Sequence, residues 1–96
     1  MSFPLVQEIP EKPIKKDGLI AEEIEDEMEV IYVDSESGSS YALNTTASVV
    51  LDLCDGNKTQ QDIAQVIAET VGLDVENVSK DVGSTLEEFM VLGLIR

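Results

Sequence analysis

Residues 47–54, Ala-Ser-Val-Val-Leu-Asp-Leu-Cys, are apolar nearly all the way round at helical spacing. A helix with no continuous polar face cannot sit on a surface, so this segment has to be central, with other elements packed around it. Asn44 or Thr45 is placed to cap it, and Asp55-Gly56-Asn57 stops it. A chain of 96 residues leaves room for one core only. With two Phe, two Tyr and no Trp, that core is aliphatic. Cys54, the single cysteine, reads as a small core hydrophobe. It also excludes an internal disulfide, which makes a reducing cytoplasm the expected compartment.

Three short strands are expected ahead of this helix. Residues 19–24 form the first, and residues 28–33 the second, where Val30, Ile31, Tyr32 and Val33 combine β-branched and aromatic side chains. A Ser-Glu-Ser-Gly-Ser turn at 35–39 leads to a brief third strand at 40–43, with Tyr41 and Leu43 on one face. Short connections favour an antiparallel meander. Two helices follow the central one. Thr59 opens the first of them with Asp62 at its third position, Ile63, Val66, Ile67 and Val71 make its apolar stripe, and Gly72 ends it. Asp74 caps the last helix, striped by Val75, Val78, Val82, Leu86, Phe89 and Met90 and closed by Gly93. Leu94-Ile95 then reads as a short strand or docked tail. The expected fold class is α+β: a three-stranded antiparallel sheet followed by a three-helix, winged helix-turn-helix-like bundle.

All three prolines and three of the six positive charges fall within residues 1–16, which read as a flexible N-terminal arm preceding a domain at 17–96. Phe3, Leu5, Val6 and Ile9 leave open that part of the arm docks. From residue 17 to 57 there are eleven acids and no base, and six of those acids lie between Glu22 and Glu29. Such a block is either a solvated face or an attractant for a basic partner.

Function classes fall away quickly. A net charge of −14 repels nucleic acid and anionic membranes. No apolar run approaches the roughly 20 residues of a membrane-spanning helix, and the N-terminus lacks a signal peptide's apolar stretch. The chain has no His, which removes the commonest general base and every Ser-His or Cys-His nucleophile pair. Cys54 alone cannot build a zinc site, and no EF-hand loop or glycine-rich phosphate loop is present. No enzymatic activity and no cofactor or metal is therefore expected. A binding module is the better reading.

The succession Tyr41-Ala42-Leu43-Asn44-Thr45-Thr46-Ala47, then Val50-Leu51-Asp52-Leu53-Cys54-Asp55-Gly56, resembles the PqqD family. Thr59, Asp62-Ile63-Ala64, Asp81-Val82 and Gly93-Leu94-Ile95 extend the resemblance over about residues 18–96. These are small proteins of pyrroloquinoline quinone (PQQ) biosynthesis and related peptide-modification clusters. The resemblance implies a noncatalytic chaperone that binds the leader of a ribosomally made precursor peptide. It would present that leader to a modifying enzyme, often a radical S-adenosylmethionine (SAM) protein. The peptide would add as a strand beside the third strand, in a cleft walled by the third helix. On this chain the implied contacts are Ser39, Ser40, Tyr41, Ala42 and Leu43 from the strand. From the helix they are Val78, Asp81, Val82, Thr85, Leu86 and Phe89, of which most must also serve the core. Glu88 stands beside Asp81 and Thr85 as a polar rim candidate.

Three rivals remain. An accessory subunit could dock on an enzyme without binding peptide. A winged-helix DNA regulator fails on charge, since residues 75–92 carry Glu76, Asp81, Glu87 and Glu88 against Lys80. A carrier protein needs a serine at a helix start, whereas Ser35 and Ser37 fall in a turn. A monomer is expected, although an exposed edge strand also permits a homodimer.

Overall fold

In a computed structural model, residues 9–23 and 29–96 are described. Strands β1 (Leu19–Glu23), β2 (Glu29–Asp34) and β3 (Ser40–Asn44) are followed by helices α1 (Thr45–Leu53), α2 (Gln60–Val71) and α3 (Val75–Leu92). The sheet is antiparallel in the order β1-β2-β3, which makes the fold α+β as expected. The first two strands run close to the expected spans; Ile24 and Met28, expected at their ends, lie outside the described residues, as do Phe3, Leu5 and Val6 and residues 24–28 of the acidic block.

The pleat sorts the side chains. Tyr32, Asp34, Tyr41 and Leu43 share the helix-facing side, while Ile31, Val33, Ser40 and Ala42 take the other. Tyr32 and Leu43 join Val50, Leu51, Ile63, Leu86 and Phe89 in one core that is mainly aliphatic, although its two largest fully buried side chains, Tyr32 and Phe89, are aromatic. The Tyr32 hydroxyl and the buried Ser48 hydroxyl are 2.6 Å apart, so the polar groups carried inward with this packing satisfy each other. Cys54 is 2% exposed and donates its thiol to the Val50 carbonyl at 3.2 Å. Burial, with Asp55 adding to it, pushes that thiol up to about 11, so at neutral pH it is an inert packing group. α1 departs from the expected all-round burial: Ser48, Val50 and Leu51 face inward, but Val49 is 42% exposed.

Each helix start is capped as the sequence predicts. Asn44 accepts the Ala47 N–H at 2.8 Å. Thr59 and Asp62 complete both halves of a capping box, each at 3.1 Å. At Gly83 of α3, a Cβ would lie 2.7 Å from the Gln60 amide nitrogen, which donates to the Ser79 carbonyl. A larger residue at Gly83 would displace the Gln60 side chain from this position.

Residues 13–16, the last part of the segment expected as an arm, are held against the domain. Pro13 accepts the Gly56 N–H, Lys15 donates to the Cys54 carbonyl, and Ile14 exchanges two backbone hydrogen bonds with Arg96. Lys16 donates to the Leu94 carbonyl, so Leu94-Ile95 is a docked, paired tail. The Lys16 ammonium also reaches the Asp34 carboxylate at 2.6 Å. That carboxylate is buried, and its other oxygen accepts the Glu36 N–H at 2.9 Å. Asp34 therefore anchors the turn that launches β3.

The Lys16 hydrogen bond, followed by the Glu36 N–H, lowers Asp34 from its ordinary 3.8 to about 2. A carboxylate lowered in the folded state contributes stability that is complete above its unfolded value and is lost as pH falls through the folded one. The expected result is that wild type loses its stability advantage over Asp34→Asn as pH drops from about 4 to about 2. Urea midpoints of both proteins at pH 6 and near pH 2 check this; a gap that stays constant would overturn it.

Among the described residues no helix is long and apolar enough to cross a membrane.

Candidate peptide-binding cleft

The Ser35–Gly38 turn closes with Gly38 at φ +77°. Its N–H donates to the Asp34 carbonyl, and the Asp34 N–H donates to the Ser39 carbonyl. These two bonds set the phase of the ladder. In an antiparallel pair, bonded and non-bonded positions alternate. With Asp34 bonded to Ser39, the next bonded pairs in register are Tyr32 with Tyr41 and Val30 with Leu43. Ser40 and Ala42 therefore turn their N–H and C=O groups away from β2, toward the outer edge of β3. Among the described residues no strand covers that edge.

The eleven residues expected to contact peptide thus separate. Ser40 and Ala42 present outward backbone groups and exposed side chains. Tyr41 and Leu43 commit their backbones to β2 and point toward the helices. Ser39 belongs to the turn: its carbonyl is taken by Asp34, and its N–H donates to the Ser37 hydroxyl at 3.2 Å.

From α3, Val78, Asp81, Val82 and Thr85 line a groove of 180 Å³. Val78 and Val82 form its apolar wall, and the exposed Asp81 carboxylate stands at its rim. Thr85 donates its hydroxyl to the Asp81 carbonyl at 2.9 Å, leaving the oxygen's lone pairs as the group it can offer. Leu86 and Phe89, 0% and 1% exposed, are not brought to this groove. They lie further along the same buried stripe as Val78 and Val82, toward the C-terminal end of the helix, where the stripe fills the interior and does not border the groove.

The remaining lining comes from residues the sequence reading did not select: Thr46 and Val50 of α1, Ile67 and Val71 of α2, and Leu73. Val71 and Leu73 flank the helix-ending Gly72 and are 55% and 64% exposed. Two large aliphatics beside a helix stop were the available signal. Thr46, in the first turn of α1, is the lining residue nearest in sequence to β3, which ends at Asn44. The exposed face of α3 carries Glu76, Asp81, Glu87 and Glu88 against Lys80, which suits no phosphate backbone.

With this geometry in hand, comparisons with known proteins agree on the architecture. The sequence matches the family described as Coenzyme PQQ synthesis protein D (PqqD) over residues 29–95. Two solved structures share the fold. One is TbiB1 in complex with the TbiA(beta) leader peptide, at 19% identity and TM-score 0.69, covering 86% of this chain and 94% of the other. The second is lasso peptide synthetase B1 complexed with the leader peptide, at 14% identity and TM-score 0.70, covering 88% and 98%. No curated protein matches.

Proposed function

Because the chain belongs to the PqqD family, we propose that it is a noncatalytic recognition element for the leader of a ribosomally made, post-translationally modified peptide. The leader adds as a fourth strand beside β3 and is presented to a modifying enzyme, in our reading a radical SAM protein. The observation that carries this is the edge of β3, uncovered among the described residues, with the backbone groups of Ser40 and Ala42 facing outward. Main-chain hydrogen bonds then supply affinity, and the groove reads alternate side chains. Peptide residues opposite Ser40 and Ala42 point to the open side of the sheet; those opposite Tyr41 and Leu43 point into the cleft. The two structures of similar fold were both solved with leader peptides, which supports the same mode here. A chain without His whose one thiol is buried and inert suits a binder rather than a catalyst, working in a reducing cytoplasm.

An amide-resolved NMR titration with the short precursor-like peptides encoded beside its gene tests this. Saturable shifts are expected at Ser40, Ala42, Thr46 and Val71 and along the groove side of α3. If those amides stay still while a neighbouring maturation enzyme shifts other surfaces, the protein is a docking subunit and the peptide reading is wrong.

A further inference from the structure

A free strand edge can template another chain only while its own backbone is held in one register. At the start of β3 that hold comes from Asp34. Its N–H donates to the Ser39 carbonyl, its carbonyl accepts the Gly38 N–H, and one carboxylate oxygen accepts the Glu36 N–H at 2.9 Å. The first of these bonds decides that Ser40 and Ala42 turn their backbone groups outward. Asp34 is 2% exposed, so water does little for its charge. The second carboxylate oxygen is met instead by the Lys16 ammonium at 2.6 Å.

Lys16 comes from a segment that belongs to none of the three strands. Its N–H donates to the Leu94 carbonyl at 2.8 Å, and the Lys15 N–H donates to the Cys54 carbonyl at 2.8 Å. The backbone is thus fixed between the end of α1 and the C-terminal tail, and from there the Lys16 side chain reaches the β2–β3 turn. Without that ammonium, a buried carboxylate would be left uncompensated. Such a group swings toward water, at the expense of the bond it accepts from Glu36. Leu43 is buried in the core and keeps the far end of β3 in place, so fraying starts at Ser40 and spreads to Tyr41 and Ala42.

We infer that Lys16 is a positioning residue for peptide binding: through the buried Asp34 carboxylate it holds the β2–β3 turn, and with it the outward backbone groups of Ser40 and Ala42. The inference rests on the strand-addition reading above. Lys16 acts without touching the peptide. If losing the pair leaves the edge ordered in about one molecule in ten, apparent affinity falls about tenfold.

The test is a double-mutant cycle on the full chain, with Lys16→Met, Asp34→Asn and the double variant. Its readout is the calorimetric Kd, well below every melting point, for the precursor-like peptide that binds wild type most tightly in the NMR titration. Each single substitution is expected to weaken binding about tenfold, and the double variant no further, because both act on one contact. If Lys16→Met melts too early to assay, the double variant, which buries no unpaired charge, carries the same prediction. Hydrogen exchange separates positioning from general stability. The Tyr41 amide, bonded to β2, should speed up more than the Leu51 and Leu86 amides of α1 and α3. Equal acceleration at all three, or wild-type affinity in Lys16→Met, overturns the inference and leaves strand addition intact. Weakening by Lys16→Met but not by Asp34→Asn also overturns it, since Lys16 would then act on the peptide by its own charge. A wild type that binds none of the peptides overturns strand addition itself, and this inference with it.

Discussion

Proline in place of Ala42 is expected to leave the fold standing and remove most of the peptide affinity. The ladder phase puts the Ala42 N–H on the open side of β3, so its loss breaks no bond to β2. Proline is tolerated on an edge strand for this reason. A paired peptide loses the donor at the middle of its contact, and the ring holds its backbone off. One lost hydrogen bond, with a peptide carbonyl left unsatisfied, costs about 2–4 kcal/mol, or roughly 30- to 1000-fold in Kd. Tyr41→Pro is the matched control. Its N–H belongs to the β2 ladder, so that substitution should lower the melting temperature whether or not peptide is present. Calorimetric titration and thermal melts of both variants check the pair. Wild-type affinity in Ala42→Pro would remove strand addition as the binding mode.

Truncating Phe89 to alanine acts on the other half of the molecule. Its ring is 1% exposed and packs in the cluster with Leu86, Leu94 and Ile95. Removing a fully buried phenylalanine costs about 3–5 kcal/mol, a large share of the roughly 5–15 kcal/mol that holds a small domain folded. Urea unfolding should show that loss directly. A cost below about 1 kcal/mol would mean that the ring faces the cleft as a peptide contact, as the family resemblance implied.

The contrast between these two residues measures what can be read from a linear chain. Phe89 and Val82 carry the same sequence signal, an apolar residue on one amphipathic stripe. Periodicity says which side of a helix turns inward. It does not say which inward-facing positions meet another element and which meet a gap between elements. Here Leu86 and Phe89 are sealed in the core, while Val78 and Val82 also border a groove lined by residues of α1 and α2. Ser40 and Ala42, by contrast, were readable as residues of an edge strand, and only their backbone direction was not. That direction depends on one hydrogen bond in the Ser35–Gly38 turn, where Asp34 pairs with Ser39.

The Asp34–Lys16 pair was invisible for a related reason. Eighteen residues separate the partners, and nothing in their local sequence distinguishes them from other charges. Their meeting requires residues 13–16 to be clamped between the end of α1 and the C-terminal tail.

Element order, helix caps, the aliphatic core, the inert Cys54 and the unsuitability for phosphate all followed from the residues in order. Each depends on contacts within a few positions or on composition, where local stereochemistry and net charge suffice. The phase of the β3 ladder, the division of the α3 stripe between core and groove, and the Lys16–Asp34 pair followed from the assembled fold. Each is a relation between surfaces distant in sequence, and such relations exist only once the elements have packed.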